Sequence, residues 1–426
     1  MDEYPGIEKP AEAEYLNCIR CGLCLAVCPT YREHLNEIAG PRGRVALVRK
    51  SMEGELALSP NLVEQMNACF ACLACDEICP VGIRPAELTL SVRSMREQEK
   101  ATRWKQVLFG DILSHPGRME ATTFPLRLYE RSGLRKLVYT LGMTRMLPRQ
   151  VRDLEAMLPH LPQRPLRQVL PEKLEAFGRP RNRVGFFLGC AQNLLFSEES
   201  KATVEVLRRN GCMVITPRDT QCCGMPARGY GRLDLVRAQA KQNIAIFERA
   251  GVDLIITDCA TCGSTLKEYR TLLENEDGWA ERAQEFSARI RDVSEFLAEI
   301  PMKKPKGQIK TTVTYHDPCH LRRGQKVWQQ PRALLSGIDG IDLIELPEAD
   351  WCCGSAGSQL ITHYETSTRV MDRKLNHLAG TGAQVIASGC PGCQMQLLTG
   401  VRRSKMDVRV VHPITLLAEA YEAEHA

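Results

Sequence analysis

The stretch RDTQCCGMPARG, residues 218–229, sets two adjacent cysteines before a glycine, and EADWCCGSAGSQ, residues 348–359, does the same. Adjacent cysteines rarely form a disulfide with each other, because closing such a small ring strains the backbone and the S–S geometry. A vicinal disulfide is therefore the weaker interpretation of these pairs. The positions of the other cysteines along the chain indicate which chemistry the pairs serve.

The two pairs belong to an internal duplication in the C-terminal half of the chain. In each copy a single cysteine is followed by the Cys-Cys-Gly triplet and then by a Cys-x2-Cys pair, at intervals of about 31 and about 35 residues. The surroundings also match, since GVDLIITDCATCGSTL in the first copy corresponds to GAQVIASGCPGCQMQL in the second. The first copy contributes Cys190, Cys222, Cys223, Cys259 and Cys262, and the second contributes Cys319, Cys352, Cys353, Cys390 and Cys393.

Short apolar segments alternate with helical patterns in both copies. RVGFFLGC, VDLIITD, TVTYHD, IDLIEL and QVIASG are typical of buried strands, the first ending on Cys190, and VEVLRRNG is typical of a helix that Gly211 ends. The alternation predicts two α/β units with each cysteine at or just beyond a strand end, where open α/β sheets bind ligands. Gly224 and Gly354 are predicted to adopt a positive φ, which lets the chain turn tightly beside a metal.

Eight further cysteines form two motifs of one spacing near the N-terminus, CIRCGLCLAVCP and CFACLACDEICP. The spacing C-x2-C-x2-C-x3-C-P holds [4Fe–4S] clusters in bacterial ferredoxins, where the fourth cysteine of each motif binds the other cluster. Zinc knuckles are the weaker alternative, because zinc needs four ligands at looser spacing. The predicted ligands are therefore Cys18, Cys21, Cys24 and Cys79 for one cubane cluster, and Cys69, Cys72, Cys75 and Cys28 for the other.

About forty residues separate the two motifs, and they carry apolar residues at helical spacing. A minimal ferredoxin has a shorter gap, so we predict a helical ferredoxin domain of the kind found in respiratory iron–sulfur subunits. Arg42, Arg44 and Arg49 lie in this insert. They either form a solvated face, or compensate the negative charge of the clusters or contact a partner.

The composition is that of a soluble chain of two or three domains: 426 residues, 44% hydrophobic and 25% charged, with a formal charge of +5. So mild a charge does not favour nucleic-acid binding, and no long apolar run predicts a membrane span. Nineteen cysteines behind an acidic, polar N-terminus without a secretory signal favour cluster binding in a reducing compartment over disulfides. The cytoplasm is the predicted location.

Residues 101–182 differ in amino-acid composition from the parts on either side. They contain scattered prolines, basic residues outnumber acidic ones about two to one, and FPLRLYERSGLRKLVYTLGMTRMLPRQVRDL is amphipathic and cationic. These helices either pack between the two halves or form a surface for a partner subunit or for the inner face of a membrane. The fold class is α/β plus all-α. The predicted domains are a helical ferredoxin domain at 1–100, a basic helical linker at 101–182, and cysteine-rich repeats at 183–300 and 308–426.

The cysteine pattern of the repeats resembles that of the cysteine-rich domains of heterodisulfide reductases. In that family five cysteines hold a non-cubane [4Fe–4S] cluster, so the resemblance implies one or two such clusters in addition to the two cubane clusters. Five thiolates exceed what one zinc or one cubane cluster needs, and soft thiolates suit iron. A structural zinc, or a cubane site with a spare thiol, is the alternative.

The chain as a whole is similar to the family of iron–sulfur subunits of glycolate oxidase and related FAD-linked 2-hydroxy-acid dehydrogenases. AGPRGRVAL, CCGSAG and HDPCHLRRGQK carry this resemblance, which covers roughly the full length. Some members have a degraded last motif, whereas Cys390 and Cys393 are both present here. The resemblance implies an FAD-containing dehydrogenase subunit as partner and a quinone or another acceptor for the electrons.

Three functions fit these features. In the first, a flavoprotein partner oxidises a 2-hydroxy acid and this chain carries the electrons, because it has no G-x-G-x-x-G, P-loop or G-x-S-x-G motif. Hydride chemistry on an organic substrate needs a flavin or nicotinamide, for which this chain shows no site. In the second, the repeats reduce a disulfide, and in the third, zinc only stabilises a scaffold. The first is preferred, and no catalytic residue is predicted in this chain.

Three polar residues flank Cys319, namely His316, Asp317 and His320. Hydrogen bonding within the loop is favoured for them over metal ligation or proton transfer. The reason is that the first repeat, which carries the same cysteines, is expected to have other residues at these places, namely Leu188, Gly189 and Asn193.

Overall fold

The computed structural model describes residues 8–100 and 102–424. Its N-terminal part is helical, as the apolar spacing predicts, and its core contains Val48, Met66, Leu88 and Met95, each at most 1% exposed. Four of these helices begin on a proline, whose fixed φ suits the first helical position. The helices are α1 Ala13–Leu16, α2 Leu23–Ala26, α3 Pro29–His34, α4 Pro41–Met52, α5 Pro60–Asn67, α6 Ala74–Ile78 and α7 Pro85–Glu99, with a 3₁₀ turn at Glu37–Ala39.

The linker is a series of short helices that touch both repeats. Its first part packs on the first repeat, where the rings of Trp104 and Phe109 lie 5.7 and 5.2 Å from the ring of Tyr230. Its later part reaches the second repeat, where the Tyr364 hydroxyl donates a hydrogen bond of 2.7 Å to Asp153. The helices are α8 Arg103–Lys105, the π-helical segment Gln106–Ile112, α9 Pro116–Thr122, α10 Phe124–Arg131, α11 Leu134–Thr140, the 3₁₀ turn Met143–Met146, α12 Arg149–Met157 and α13 Leu166–Val169.

The first repeat forms a five-stranded sheet. Its strands are β1 Lys173–Leu174, β2 Asn182–Phe186, β3 Cys212–Ile215, β4 Leu254–Thr257 and β5 Ile290–Asp292. They lie in the order β1-β3-β2-β4-β5, and only the edge strand β1 runs antiparallel to its neighbour. Its helices are α14 Cys190–Leu194, α15 Ser197–Arg209, α16 Met225–Gly229, α17 Leu233–Ala250, α18 Ala260–Lys267, α19 Tyr269–Leu272, α20 Ala280–Ala288 and α21 Val293–Glu299.

The second repeat forms a four-stranded sheet. Its strands are β6 Thr311–Tyr315, β7 Ile341–Ile344, β8 Val385–Ala387 and β9 Arg409–Val411. All are parallel, in the order β7-β6-β8-β9. Its helices are the π-helical segment His320–Gly324, α22 Gln329–Ser336, α23 Gln359–Thr362, α24 Tyr364–Thr381, α25 Pro391–Arg403 and α26 Pro413–Glu422.

The two sheets have the same topology, since the order β3-β2-β4-β5 returns as β7-β6-β8-β9. The registers agree as well. Val184 pairs with Val214 and Leu254, and Val313 pairs with Leu343 and Val385, so Val184 and Val313 are equivalent. The duplication inferred from the cysteine spacing is therefore a duplication of the fold.

Two details differ from the strand predictions. The strand predicted to end on Cys190 ends at Phe186, and Cys190 instead begins α14. Strands β1, β5 and β9 have only two or three residues each, too few to show a period of two, and the sequence pattern did not predict them.

The repeats share one apolar core, which includes Phe186 and Leu207 from the first repeat and Tyr315 and Leu417 from the second. Helices α15 and α21 of the first repeat pack on α26 and α22 of the second. Since α15 corresponds to α22 and α21 to α26, exchanging the repeats turns one helix contact into the other. The repeats are thus related by an approximate two-fold axis.

The ferredoxin domain is docked firmly on the first repeat. Arg93 is 8% exposed, and its guanidinium donates a hydrogen bond of 2.8 Å to the carbonyl of Gly229. Arg228 pairs with Glu87 at 2.8 Å. Gly231 has a φ of +82°, and a Cβ at this position would lie 2.3 Å from the Arg93 carbonyl oxygen. The two backbones therefore approach more closely than a side chain would allow.

Candidate metal centres

Four of the N-terminal cysteines line one cavity, and we call them group 1: Cys18, Cys21, Cys24 and Cys79. Cys21 is exposed and the others are partly buried. Burial raises the pKa of Cys24 to about 11, and the nearby thiols of Cys18 and Cys28 add to this shift. A bound metal centre would oppose the shift, because coordinated thiols are deprotonated.

The other four line a second cavity, and we call them group 2: Cys28, Cys69, Cys72 and Cys75. All four are buried, and burial raises the pKa of Cys28 and of Cys75. The structure thus brings the fourth cysteine of each motif beside the first three of the other motif. The binding of clusters by groups 1 and 2 stays a prediction.

Arg44 forms part of the wall around group 2. Its side chain is 2% exposed and donates hydrogen bonds of 2.9 Å to the Gln65 carbonyl and 3.2 Å to the Thr30 hydroxyl, which lies 3.2 Å from Cys28 Sγ. Arg44 therefore does not belong to a solvated face. Arg49 does, because it pairs with Glu53 at the surface. A buried guanidinium with uncharged oxygens as its hydrogen-bond partners suits an anionic group in the cavity.

The cysteines of the first repeat, group 3, meet beyond the C-terminal ends of its parallel strands. Cys259 is the N-cap of α18, and its Sγ accepts a hydrogen bond of 3.4 Å from the Cys262 amide. Thiol hydrogen bonds join Cys190 to Cys222, Cys222 to Cys223, and Cys223 to Cys262. All five cysteines of this repeat are therefore in one connected set.

The cysteines of the second repeat, group 4, form an equivalent set. Cys353 Sγ lies 3.3 Å from Cys393 Sγ. Further thiol hydrogen bonds join Cys352 to Cys319 and to Cys353, and Cys393 to Cys390. Each repeat thus offers five thiols, one more than a tetrahedral zinc site uses.

The Cys-Cys-Gly turns have the predicted backbone, since φ is +97° at Gly224 and +89° at Gly354. A Cβ at Gly354 would lie 2.6 Å from the carbonyl oxygen of Ser367. In the first repeat Asn243 also holds the turn, through a hydrogen bond of 3.2 Å to the Cys222 carbonyl. At Gly354, glycine is therefore required both for the positive φ and for the close packing of α24 on the turn.

Two thiol contacts connect the groups in a row. Cys72 of group 2 packs with Cys352 of group 4, and hydrogen bonding to Cys352 lowers the pKa of Cys72. Cys259 of group 3 hydrogen-bonds with Cys390 of group 4, which lowers the pKa of Cys390. Pro85 lines the cavities of both groups 1 and 2. The order of the groups in space is therefore 1, 2, 4, 3, which differs from their order along the chain.

Three family models match separate parts of the chain. The model for a cysteine-rich domain matches residues 184–267 and 313–398, and the model for a 4Fe-4S dicluster domain matches residues 14–83. The model for the linker region of the glycolate oxidase iron–sulfur subunit matches residues 98–158. These matches confirm the predicted architecture of a two-cluster ferredoxin domain followed by two cysteine-rich repeats.

Relatives match over nearly the whole length. The probable glycolate oxidase iron–sulfur subunit of Bacillus subtilis (strain 168) is 36% identical over 97% of this chain and 95% of its own. The chain belongs to the family of glycolate oxidase iron–sulfur subunits. The glycolate oxidase iron–sulfur subunit of Escherichia coli (strain K12) is 30% identical over 96% of this chain and 94% of its own. Lactate utilization protein A of Oceanobacillus iheyensis is 32% identical over 55% of this chain and 96% of its own.

In this member of the glycolate oxidase family, the donor atoms suit iron–sulfur clusters. The cysteines of groups 1 to 4 offer sulfur, and soft thiolates select iron–sulfur clusters or zinc over hard cations. The four-membered groups match the number of ligands that a cubane cluster takes. The residues present therefore fit the iron–sulfur cofactor that the family name states.

The three polar residues beside group 4 have different surroundings. Asp317 is buried and accepts hydrogen bonds of 2.8 and 3.1 Å from two arginines, as the predicted role in loop hydrogen bonding requires. His320 Nδ1 lies 3.4 Å from Cys319 Sγ, and the ring of His316 interacts with the Cys353 thiol. The strand registers align His316 with Phe187 and Asp317 with Leu188, and the same offset puts Ala191 opposite His320. The expected pairings of the three residues with Leu188, Gly189 and Asn193, in that order, are therefore wrong.

Lys374 is a residue near group 4 that the sequence pattern did not indicate. It is 0% exposed, and its Nζ donates hydrogen bonds to the carbonyls of Glu348 and Ala349, just before the Cys-Cys-Gly turn. Asn243 has the same position in α17 that Lys374 has in α24. A lysine in an amphipathic helix is normally exposed, so nothing in the helical pattern distinguishes this one.

Proposed function

We propose that this chain is the iron–sulfur electron-transfer subunit of a complex that oxidises glycolate or a related 2-hydroxy acid. The observation that carries the proposal is the row of cysteine groups 1, 2, 4 and 3, joined by the Cys72–Cys352 and Cys259–Cys390 contacts. Bound iron–sulfur clusters supply one-electron redox chemistry. A row of neighbouring ligand groups suits transfer across the protein, whereas a scaffold would need no contact between its metal sites.

In this proposal the cysteines hold up to four clusters. Groups 1 and 2 would each ligate one cubane [4Fe–4S] cluster, and groups 3 and 4 would each hold a cluster with five thiolates. The thiols of groups 2, 3 and 4 are largely shielded from water, because all but Cys190 and Cys319 are buried. The backbone hydrogen bonds of the two Cys-Cys-Gly turns fix the positions of the ligands. Burial keeps water away from them.

The flavoprotein that would oxidise the organic substrate is assigned to the end of the row at group 1. Cys21 is the most accessible ligand there, being exposed. A groove of about 510 Å³ has Cys18 of the same group in its wall, together with Arg20, Arg42, Lys50 and apolar Leu47. A partner with an acidic rim and an apolar centre would complement this groove.

The electron acceptor, a quinone or another small molecule, is assigned to the other end of the row. A cavity of about 470 Å³ lies there, and its wall includes Gln221, the residue before Cys222, together with Leu235, Lys241 and Trp279. Ligand cavities are of this size and combine an apolar or aromatic wall with a few polar groups. The acceptor would then bind next to the turn that holds two ligands of group 3.

The linker is assigned to a peripheral contact with an anionic membrane surface. Leu134 and Leu137 lie one turn apart in α11 and Leu141 follows its end; they are 48, 52 and 63% exposed. Phe124 in α10 is 63% exposed. Basic residues dominate the same helices. Apolar stripes beside cationic residues are typical of helices that lie in a membrane interface. No helix within residues 8–100 and 102–424 is long and apolar enough to cross a membrane.

Vesicle co-sedimentation tests this contact. We expect the holoprotein to bind vesicles that contain phosphatidylglycerol and not vesicles of phosphatidylcholine alone. The double variant Phe124→Ser, Leu137→Ser should lose binding, while Ile361→Ser, which changes an equally exposed side chain outside the linker, should keep it. Equal binding by both variants would contradict the assignment.

The proposed function is tested by mixing the chain with its flavoprotein partner under anaerobic conditions. Glycolate or lactate should bleach the visible absorbance of the iron–sulfur clusters only when the flavoprotein is present. Turnover of either acid by the isolated, flavin-free chain would overturn the proposal. Rapid reduction of a disulfide substrate by the reduced chain would instead favour the heterodisulfide-reductase alternative, which the full-length relatives do not favour.

A further inference from the structure

The two repeats differ at one position that faces the cysteine groups. The amide of Phe187 donates to the Ile256 carbonyl at 2.8 Å, and the amide of His316 donates to the Ala387 carbonyl at 2.9 Å. These bonds continue the equivalent strand pairs of the two sheets, so Phe187 and His316 are equivalent residues. An apolar ring in the first repeat is thus replaced by an imidazole in the second.

The imidazole of His316 is buried and has a thiol as its polar neighbour. Its residue is 1% exposed, no nitrogen or oxygen of the described residues hydrogen-bonds with its ring, and the ring interacts with the Cys353 thiol. A thiol is only a weak hydrogen-bond partner, and buried polar groups that are poorly satisfied in folded proteins often mark a missing ion or water. Phenylalanine at this position in the first repeat shows that the fold does not need a polar ring here.

The ring lies beside two thiols of group 4. One ring nitrogen of His316, Cys353 Sγ and Cys393 Sγ all lie within 4.8 Å of one another. Ligands at about 2.0 Å (nitrogen) and about 2.3 Å (sulfur) from one tetrahedral metal are roughly 3.5 Å apart, so small side-chain movements would bring all three onto one metal. Imidazole is a common ligand of both iron and zinc.

We propose that His316 is a nitrogen ligand of the metal centre in the second repeat. The donor set there would be five thiolates and one imidazole, whereas the first repeat, with Phe187, would offer thiolates alone. The assignment rests on the proposed presence of a cluster in group 4. It gives the two repeats different centres, although their cysteine patterns are the same.

His320 provides the matched comparison. It is the other histidine beside group 4, but its Nδ1 lies 3.4 Å from the Sγ of Cys319, whereas a ring nitrogen of His316 lies within 4.8 Å of two thiols. We assign it a hydrogen bond to the thiolate and no bond to the metal. Replacing each histidine in turn therefore separates direct ligation from a hydrogen bond to sulfur.

The test uses the full-length protein purified without oxygen. The paramagnetic signal of the second repeat is first identified by its disappearance in Cys353→Ser, and its nitrogen couplings are then measured by electron spin-echo envelope modulation. Labelling with ¹⁵N-histidine should change the strong nitrogen coupling. That coupling should be absent in His316→Phe, which copies the first repeat, and retained in His320→Ala.

Three results would contradict the assignment. A signal without strong nitrogen coupling, or a coupling that persists in His316→Phe, overturns the ligand while leaving the cluster in place. Iron and zinc analysis that finds no iron in the second repeat overturns the cluster as well, and with it that part of the proposed function. If His316→Phe does not fold by circular dichroism, a label-dependent coupling retained in His320→Ala still supports His316, and its loss there overturns it.

Discussion

Gly231 offers a direct perturbation of the contact between the ferredoxin domain and the first repeat. In Gly231→Ala the new Cβ would lie 2.3 Å from the Arg93 carbonyl oxygen, at a φ of +82°. A side chain at such a φ costs about 1–2 kcal/mol. Relieving the clash moves Arg93 away from the Gly229 carbonyl, and losing this charged hydrogen bond costs about 1.5–3 kcal/mol more. The expected total is about 2.5–5 kcal/mol.

Gly278→Ala is the matched control. Gly278 also has a positive φ, +71°, but nothing lies within 4 Å of a Cβ at this position. Gly278→Ala should therefore lower the free energy of unfolding only by the cost of a side chain at positive φ, about 1–2 kcal/mol. Urea unfolding followed by circular dichroism and limited proteolysis should show a first transition that Gly231→Ala weakens more than the control does, by about 1.5–3 kcal/mol.

The same variants test the functional role of the interface. The contact between Cys72 and Cys352 joins the ferredoxin domain to the second repeat. A loosened ferredoxin domain should therefore slow the transfer of electrons from the flavoprotein to the clusters proposed at groups 3 and 4. Gly278→Ala should leave the rate unchanged. Equal losses of stability in the two variants, or wild-type transfer rates in Gly231→Ala, would refute this account of the interface.

Three further outcomes are expected. Arg44→Met should lose the iron of group 2, because the buried guanidinium compensates an anionic cluster, whereas iron content should be unchanged in Arg49→Met; elemental analysis after anaerobic purification decides this. Burial raises the pKa of Glu199 to about 8, so the folded state keeps a proton that the unfolded state has released above about pH 4.5. Stability should therefore fall as the pH rises from about 4.5 to about 8, by up to about 1.4 kcal/mol per pH unit, and thermal unfolding of Glu199→Gln should show a flatter profile. Cys222→Ser and Cys223→Ser should each disturb the same paramagnetic signal; one silent variant would indicate a four-ligand site.

Local signals in the sequence were enough to predict the main helices and strands and to assign most cysteines to their groups. The alternation of apolar and helical segments predicted the central strands of both repeats, and the positive φ of Gly224 and Gly354 followed from the turn that adjacent ligands need. These features depend on neighbours in the chain. The strands β1, β5 and β9 could not be predicted in this way, because such short segments are defined by their pairing with other strands.

The order of the groups in space could not be predicted in the same way. The contact of Cys72 with Cys352 joins residues far apart in sequence, and it depends on how the ferredoxin domain docks on both repeats. The burial of Arg44 and Lys374 has the same origin, because each is enclosed by elements that come together only in the tertiary structure. The replacement of Phe187 by His316 in the second repeat likewise appeared only when the strand registers aligned the two sheets.

The shared core of the two repeats has a consequence for how such a chain could arise. Helices α15 and α26, and α22 and α21, make equivalent contacts across an approximate two-fold axis. A single unit would expose these apolar helix faces, and two identical copies could cover them by forming a symmetric dimer. In a dimer of identical subunits every substitution appears twice. Joining the copies in one chain removes this restriction, so an imidazole can be gained in one half while the other half keeps its phenylalanine.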